Sequence, residues 1–284
     1  MHHNDYILTI SCPDRTGIVY RVSGLLFERG CNILDSQQFG DEETGRFFLR
    51  VHFDLPANDD PQALRDALQT LGEDYRMEWQ LHDAQRRARL LVLVSKQGHC
   101  LNDLLFRVSS GQLSADIVGI VSNHNDYAAL AQSYGIPFHF LPVNAETRAT
   151  QEQAIIDLVE REQVDLVVLA RYMQILSPHL CRALAGRAIN IHHSFLPSFK
   201  GARPYHQAHQ RGVKIIGATA HYVTEDLDEG PIIEQDIERV DHAMSAQAFV
   251  QVGSDVESLV LARAVRSHVE HRILRNGNKT VVFR

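Results

Sequence analysis

Asn190 and His192 stand two residues apart in Ala188-Ile189-Asn190-Ile191-His192, a segment whose other residues are apolar. That spacing puts both side chains on one face of a strand. An amide N–H and an imidazole N–H aimed at one spot can donate to an oxyanion as it forms. Asp228 follows a second apolar run, residues 214–223, in a loop bounded by Gly230. A carboxylate there can take a proton from water or an amine, provided its neighbours raise its pKa. Glu225 and Asp226 add like charge close by in sequence. No Ser or Cys sits in a nucleophile elbow, so the set favours direct attack by water, or another acceptor, on an activated carbonyl. Taken singly, His192 also reads as a hydrogen-bonded structural residue and Asp228 as a turn stabiliser.

His192, His193, His206, His209 and His221 invite a metal reading, but neither H-E-x-x-H nor a cysteine pair at zinc spacing is present. No metal is therefore expected. The chain carries a formal net charge of -7 and no long basic run, which argues against nucleic-acid binding. No apolar run approaches the length of about 20 residues that spans a bilayer. The start, Met-His-His-Asn-Asp, lacks a signal-peptide pattern, and the expected setting is cytoplasmic. Cys12, Cys31, Cys100 and Cys181 form no C-x-x-C pair and are expected as small buried hydrophobes.

Two patterns divide the chain. Residues 6–10, 32–38, 46–53 and 75–81 read as strands, and residues 18–29 and 61–71 as helices, with Asp14 a candidate cap for the first helix. The order β-α-β-β-α-β is the ferredoxin-like unit. After a charged linker at 83–89 the pattern changes. Residues 90–94 are a continuous apolar run, the mark of a parallel strand buried on both faces, and residues 115–123 and 165–170 read as further buried strands. Helical segments at 101–109, 126–134 and 147–162 separate them, and residues 138–141 add a short strand. This alternation predicts an α/β fold, an open, mostly parallel Rossmann-like sheet whose ligands enter beyond the carboxyl ends of its strands. Residues 244–274 read as helix, 275–278 as a turn and 279–284 as a closing strand. The expected domains are 1–86 and 87–284.

The segment SCPDRTGIVYRVSGLLFERGCNI resembles the ACT domain, a small regulatory module that binds amino acids between paired copies. Its motif positions fall on Asp14, Gly17 and Asn32. The stretch INIHHSFLPSFKGA with GATAHYVTEDLDEGPII resembles the formyltransferase family that uses 10-formyltetrahydrofolate. The resemblance covers residues 88 to 284. It implies that Asn190, His192 and Asp228 are the catalytic amide, imidazole and carboxylate. It also implies that Tyr172, Met173, Gln174, Ile175 and Leu176 form a pterin-binding loop. Val223, Thr224, Glu225 and Asp226 would close over the pterin ring, with His193 beside the substrate.

Transferases of this family that act on a phosphoribosyl amine carry a Gly-rich loop after the first strand, where this chain reads Ser95-Lys96-Gln97-Gly98-His99-Cys100-Leu101-Asn102. They also usually have Pro where this chain has His193. The pair His192-His193 and the leading ACT module are similar to the deformylase branch. That implies hydrolysis of 10-formyltetrahydrofolate to tetrahydrofolate and formate, with no cofactor beyond the folate substrate. It further implies control of the one-carbon pool and formate supply for purine biosynthesis. Glycine or methionine is the implied effector at Asp14, Gly17 and Asn32, in a homo-oligomer joined through ACT pairing. The rival readings are transfer of the formyl group to an amine, and a sensor that binds folate and amino acid without turnover.

Overall fold

The computed structural model describes residues 4–57, 59–196 and 204–284. Pro-Ser-Phe-Lys-Gly at 197–201, which reads as a turn from sequence, lies outside them. By its contacts the chain divides into two compact units: Met1–Arg87 with Glu270–Asn276 and Thr280–Arg284, and Ala88–Val269 with Gly277–Lys279.

The first unit runs β1 (Asn4–Pro13), α1 (Ile18–Glu28), β2 (Asn32–Asp41), β3 (Arg46–Leu55), α2 (Pro61–Tyr75) and β4 (Glu78–Asp83). Its antiparallel sheet has the order β2-β3-β1-β4. Ile18, Val22 and Leu26 recur at helical spacing and pack with Leu64, Leu68 and Leu71 of α2 over Leu8, Ile10 and Phe53. Asp14 does not cap α1. Gly17 holds that position at φ 94, without a side-chain cap bond, because the chain enters the helix through a left-handed turn. Asp60 caps α2 instead, accepting from the Gln62 N–H. Tyr75 ends α2 and does not start the fourth strand, which begins at Glu78.

The second unit runs β5 (Ala88–Val94), α3 (His99–Ser109), β6 (Ala115–Ser122), α4 (Ala128–Ser133), β7 (Phe138–Phe140), α5 (Arg148–Arg161), β8 (Leu166–Leu169) and α6 (Pro178–Ala183). It continues with β9 (Ala188–His192), α7 (Pro204–Arg211), β10 (Ile215–Tyr222), β11 (Ile232–Arg239) and α8 (Ala246–Val269). Its sheet has the order β11-β10-β9-β8-β5-β6-β7. The expected mostly parallel α/β sheet is present: β7, β6, β5, β8 and β9 are parallel, and β10 and β11 continue antiparallel. Leu90 to Val94 and Leu166 to Val168 are wholly buried, as apolar runs covered on both faces must be.

The helix expected to reach Leu274 stops at Val269. His271 takes φ 51, and Ile273–Asn276 pairs with Lys279–Val282 as the hairpin β12-β13. Leu274, Val281 and Phe283 pack against Phe48. Arg50 donates to the carbonyls of Glu270 and His271, so these last residues are part of the first unit. The four cysteines are free, and all but Cys31 are buried. No helix among the described residues is long and apolar enough to cross a membrane.

Candidate active site

Asn190 and His192 alternate with the buried Ile189 and Ile191 along β9, so their side chains share the face that the strand leaves partly open. β10 lies antiparallel to β9 with His221 opposite Asn190. Directly opposed residues project to the same face, and Asn190 Nδ2 lies 3.3 Å from His221 Nε2. His221 Nδ1 lies 2.9 Å from the Tyr222 carbonyl, an acceptor only, so Nδ1 carries hydrogen and Nε2 is the atom turned to the site.

The loop after β10 folds back to deliver Asp228. Gly230 makes the return possible, because a Cβ there would lie 1.7 Å from the Tyr222 carbonyl oxygen. Asp228 adopts φ 58, a left-handed conformation uncommon outside glycine. Its Oδ1 lies 3.3 Å from His192 Nδ1 and 3.7 Å from His221 Nε2. The hydrogen bond from His192 and then the contact with His221 hold its carboxyl well below the usual carboxylate range, against the opposing effect of burial. The sequence reading called for neighbours that raise this group; the two imidazoles lower it. His192 Nε2 is buried without a partner among the described residues. With Nδ1 committed to Asp228, Nε2 is the ring atom left for a substrate.

These groups border a cavity of about 280 Å³. All the residues expected at the substrate line it: Tyr172, Met173, Gln174, Ile175 and Leu176 from the segment after β8, Val223, Thr224, Glu225 and Asp226 from the loop after β10, and His193. α5 fixes the first of these segments. Gln151 donates to Tyr172 Oη at 2.7 Å, Arg148 donates to the Ile175 carbonyl, and Glu152 accepts the Ser177 N–H at 2.8 Å. Gln151 and Glu152 are thus buried polar groups with partners. Met173, Ile175 and Leu227 stay more than half exposed and give the rim an apolar lip that a flat ring can cover. His193 is pushed down to about 4 by burial and then by the Arg171 charge, so it is neutral near pH 7.

Three residues of this region were not singled out from sequence for the site: His221, Arg171 and Glu257. His221 entered the sequence analysis only among the histidines weighed as metal ligands. Glu257, on α8, lies with His99 and Cys100 in a group whose ligating atoms fall within 4.8 Å of one another. Glu257 is already bonded to His99 and Tyr205, however, and burial pushes the Cys100 thiol far up, so it keeps its proton.

In the first unit, Asp14 donates its N–H to the Gly45 carbonyl beside the β2-β3 turn, and Gly17, three residues on, caps α1. Asn32 is exposed at the other end of β2, eight residues from Gly40, or roughly 26 Å along the strand. One chain therefore does not bring Asn32 to Asp14 and Gly17. A groove of about 900 Å³ between α1 and α2 is lined by none of the three.

Residues 88–265 match the formyl transferase family and residues 6–73 the ACT domain. The formyltetrahydrofolate deformylase of Bacillus subtilis (strain 168) is 49% identical over 97% of this chain and 93% of its own length. The chain belongs to the formyltetrahydrofolate deformylase family. A crystal structure of the deformylase from Burkholderia mallei ATCC 23344 is 52% identical, with a TM-score of 0.95 over 99% of this chain and 100% of that one. The phosphoribosylglycinamide formyltransferase of Anaplasma phagocytophilum is similar over a smaller part: 32% identity and a TM-score of 0.64, covering 70% of this chain and 96% of its own. Deformylases thus match both units, and that transferase matches less of the chain.

Proposed function

We propose that this deformylase hydrolyses 10-formyltetrahydrofolate at the cavity bordered by Asn190, His192 and Asp228. The observation that carries the reading is the convergence of an amide, two imidazoles and an ionised carboxylate on one face of β9 and β10. The formyl oxygen sits between Asn190 Nδ2 and Nε2 of a doubly protonated His192, which donate to it as the carbonyl becomes tetrahedral. Water attacks the formyl carbon. Asp228 orients that water and, as a weak base, relays its proton instead of keeping it. The C–N10 bond breaks, the folate nitrogen takes the proton, and formate and tetrahydrofolate leave. The segment from Tyr172 to Leu176 and the loop from Val223 to Asp226 hold the pterin. No cofactor beyond the folate substrate enters the reaction.

The ACT unit binds an amino-acid effector, glycine or methionine. Because Asn32 stands far from Asp14 and Gly17 in one chain, the effector lies between two copies, with Asn32 supplied by the second. The protein is thus a homo-oligomer through ACT pairing. It works in the cytoplasm, where it balances the one-carbon pool and supplies formate for purine biosynthesis.

The test is formate release from 10-formyltetrahydrofolate by purified protein, with and without glycine and methionine. Wild-type protein releases formate without an amine acceptor. Asn190→Ala and His192→Ala each lose on the order of a hundredfold or more in kcat, about 3 kcal/mol of barrier, while folate still binds. Near-full turnover in both variants would remove these residues from the mechanism.

A further inference from the structure

Glu257 is 1% exposed in the middle of α8, and three side chains converge on it. Tyr205 Oη donates at 2.6 Å, His99 Nε2 lies at 2.7 Å and Arg171 Nε at 3.3 Å. Burial alone would raise this carboxyl. The hydrogen bond from His99 and the charge of Arg171 outweigh it and hold Glu257 ionised, below its ordinary value. Arg171 is 7% exposed and also donates Nε, at 2.9 Å, and Nη2 to Gln97 Oε1. Its backbone is left-handed, φ 63, a conformation that glycine takes freely and arginine seldom does. Gly253, one turn ahead of Glu257, leaves the space the Tyr205 ring fills; a Cβ there would lie 2.2 Å from that ring.

The position of this cluster gives it meaning. β5 and β8 are the neighbouring central strands at which the chain order reverses, with β6 and β7 on one side and β9 on the other. In open α/β sheets the crevice beyond their carboxyl ends is where ligands enter. Here it is filled. Gln97 comes from the turn after β5, His99 from the start of α3, Arg171 from the turn after β8, and Tyr205 and Glu257 from α7 and α8. Gln97 and His99 also fall in the stretch where the transferase branch is rich in glycine. Arg171 borders the same cavity as Asn190, His192 and Asp228.

Resting on the hydrolytic reading above, we propose that Arg171, clamped between Gln97 and Glu257, closes the switch-point crevice to amine acceptors and so reserves the formyl group for water. Arg171 is then a specificity-determining residue. An amine admitted there attacks the formyl carbon through its nitrogen. The C–N10 bond breaks, the folate nitrogen gains the proton the amine gives up, and a formamide replaces formate as product.

Arg171→Gly removes the side chain at a backbone that suits glycine. Arg171→Gly/Glu257→Gln does so without stranding a buried carboxylate. Full-length protein is given 10-formyltetrahydrofolate and glycinamide, and formate and N-formylglycinamide are both quantified. Wild-type protein makes formate alone at every glycinamide concentration. In the variants N-formylglycinamide rises above background by about tenfold or more and saturates with glycinamide. Three results overturn the proposal: formylation of glycinamide by wild-type protein; formate but no formamide from a folded variant; or loss of hydrolysis in both variants with the fold retained, which would place Arg171 in the hydrolytic machinery. Absence of formate release by wild-type protein would instead bring down the hydrolytic reading.

Discussion

Asn190 and His221 face each other in register across β9 and β10, and their side chains meet at 3.3 Å. The same His221 nitrogen lies 3.7 Å from Asp228, so one ring braces both an oxyanion donor and the carboxylate. His221→Phe keeps the ring volume and removes both contacts. The expected result is a fall in kcat on the order of a hundredfold with KM changed only a few-fold, because orientation is lost and the pterin contacts are not. Unchanged kcat in steady-state formate release would reduce His221 to a packing role.

Gly230 predicts a sharper local effect. With the Tyr222 carbonyl 1.7 Å from any Cβ, Gly230→Ala must displace the loop that carries Asp228. Overpacking of this kind costs about 1–3 kcal/mol of stability, while turnover falls much further because Asp228 leaves its place beside His192. Thermal unfolding and kcat measured side by side would separate the two. A variant with full turnover would show that the loop need not close on Tyr222.

Acid should weaken the fold through two histidines. Burial and then the charge of the stacked His271 push His82 down to about 3, and burial and then Arg171 push His193 down to about 4. Both folded-state values lie below the unfolded value near 6.5, so the unfolded chain binds the extra protons. Their stabilisation is complete above pH 6.5 and is lost as pH falls towards 4 and 3. By pH 5 each should remove about 2 kcal/mol, which urea unfolding at pH 7 and pH 5 would register. His82→Leu should cancel one share of that loss; an undiminished loss in the variant would acquit His82.

The proposed two-copy effector site gives a complementation prediction. Asp14→Ala chains and Asn32→Ala chains should each lose their response to glycine or methionine. A mixture refolded together should regain part of it, because a mixed pair joins the intact Asp14 and Gly17 of one chain to the intact Asn32 of the other. Formate release measured with each amino acid reads the result. No recovery in mixed pairs, with pairing shown by sedimentation, would argue for an effector site within one chain.

What the sequence made legible follows from the range of the forces involved. Buried parallel strands such as Leu90–Val94 announce themselves, since every residue is apolar. Asn190 and His192 were visible together because their relation is local, two residues along one strand. β11 was not read, because this edge strand carries Glu234, Asp236, Glu238 and Arg239 and offers no apolar run. The end of α8 was misread because apolar spacing continues through Ile273 and Leu274, residues that serve a hairpin. His221 and Arg171 stayed hidden for another reason. Their roles depend on which strand lies beside β9 and which helix covers the turn after β8, and those are facts of topology.

The packing of Leu274 and Phe283 on Phe48 has a consequence in time. The unit that leaves the ribosome first is the last to be finished. Its sheet waits with Phe48 and Arg50 uncovered until residues 270–284 have been made. The sheet of the first unit is thus completed only in chains that already carry residues 88–269, and a polypeptide cut short before Glu270 would leave the Phe48 and Arg50 face bare.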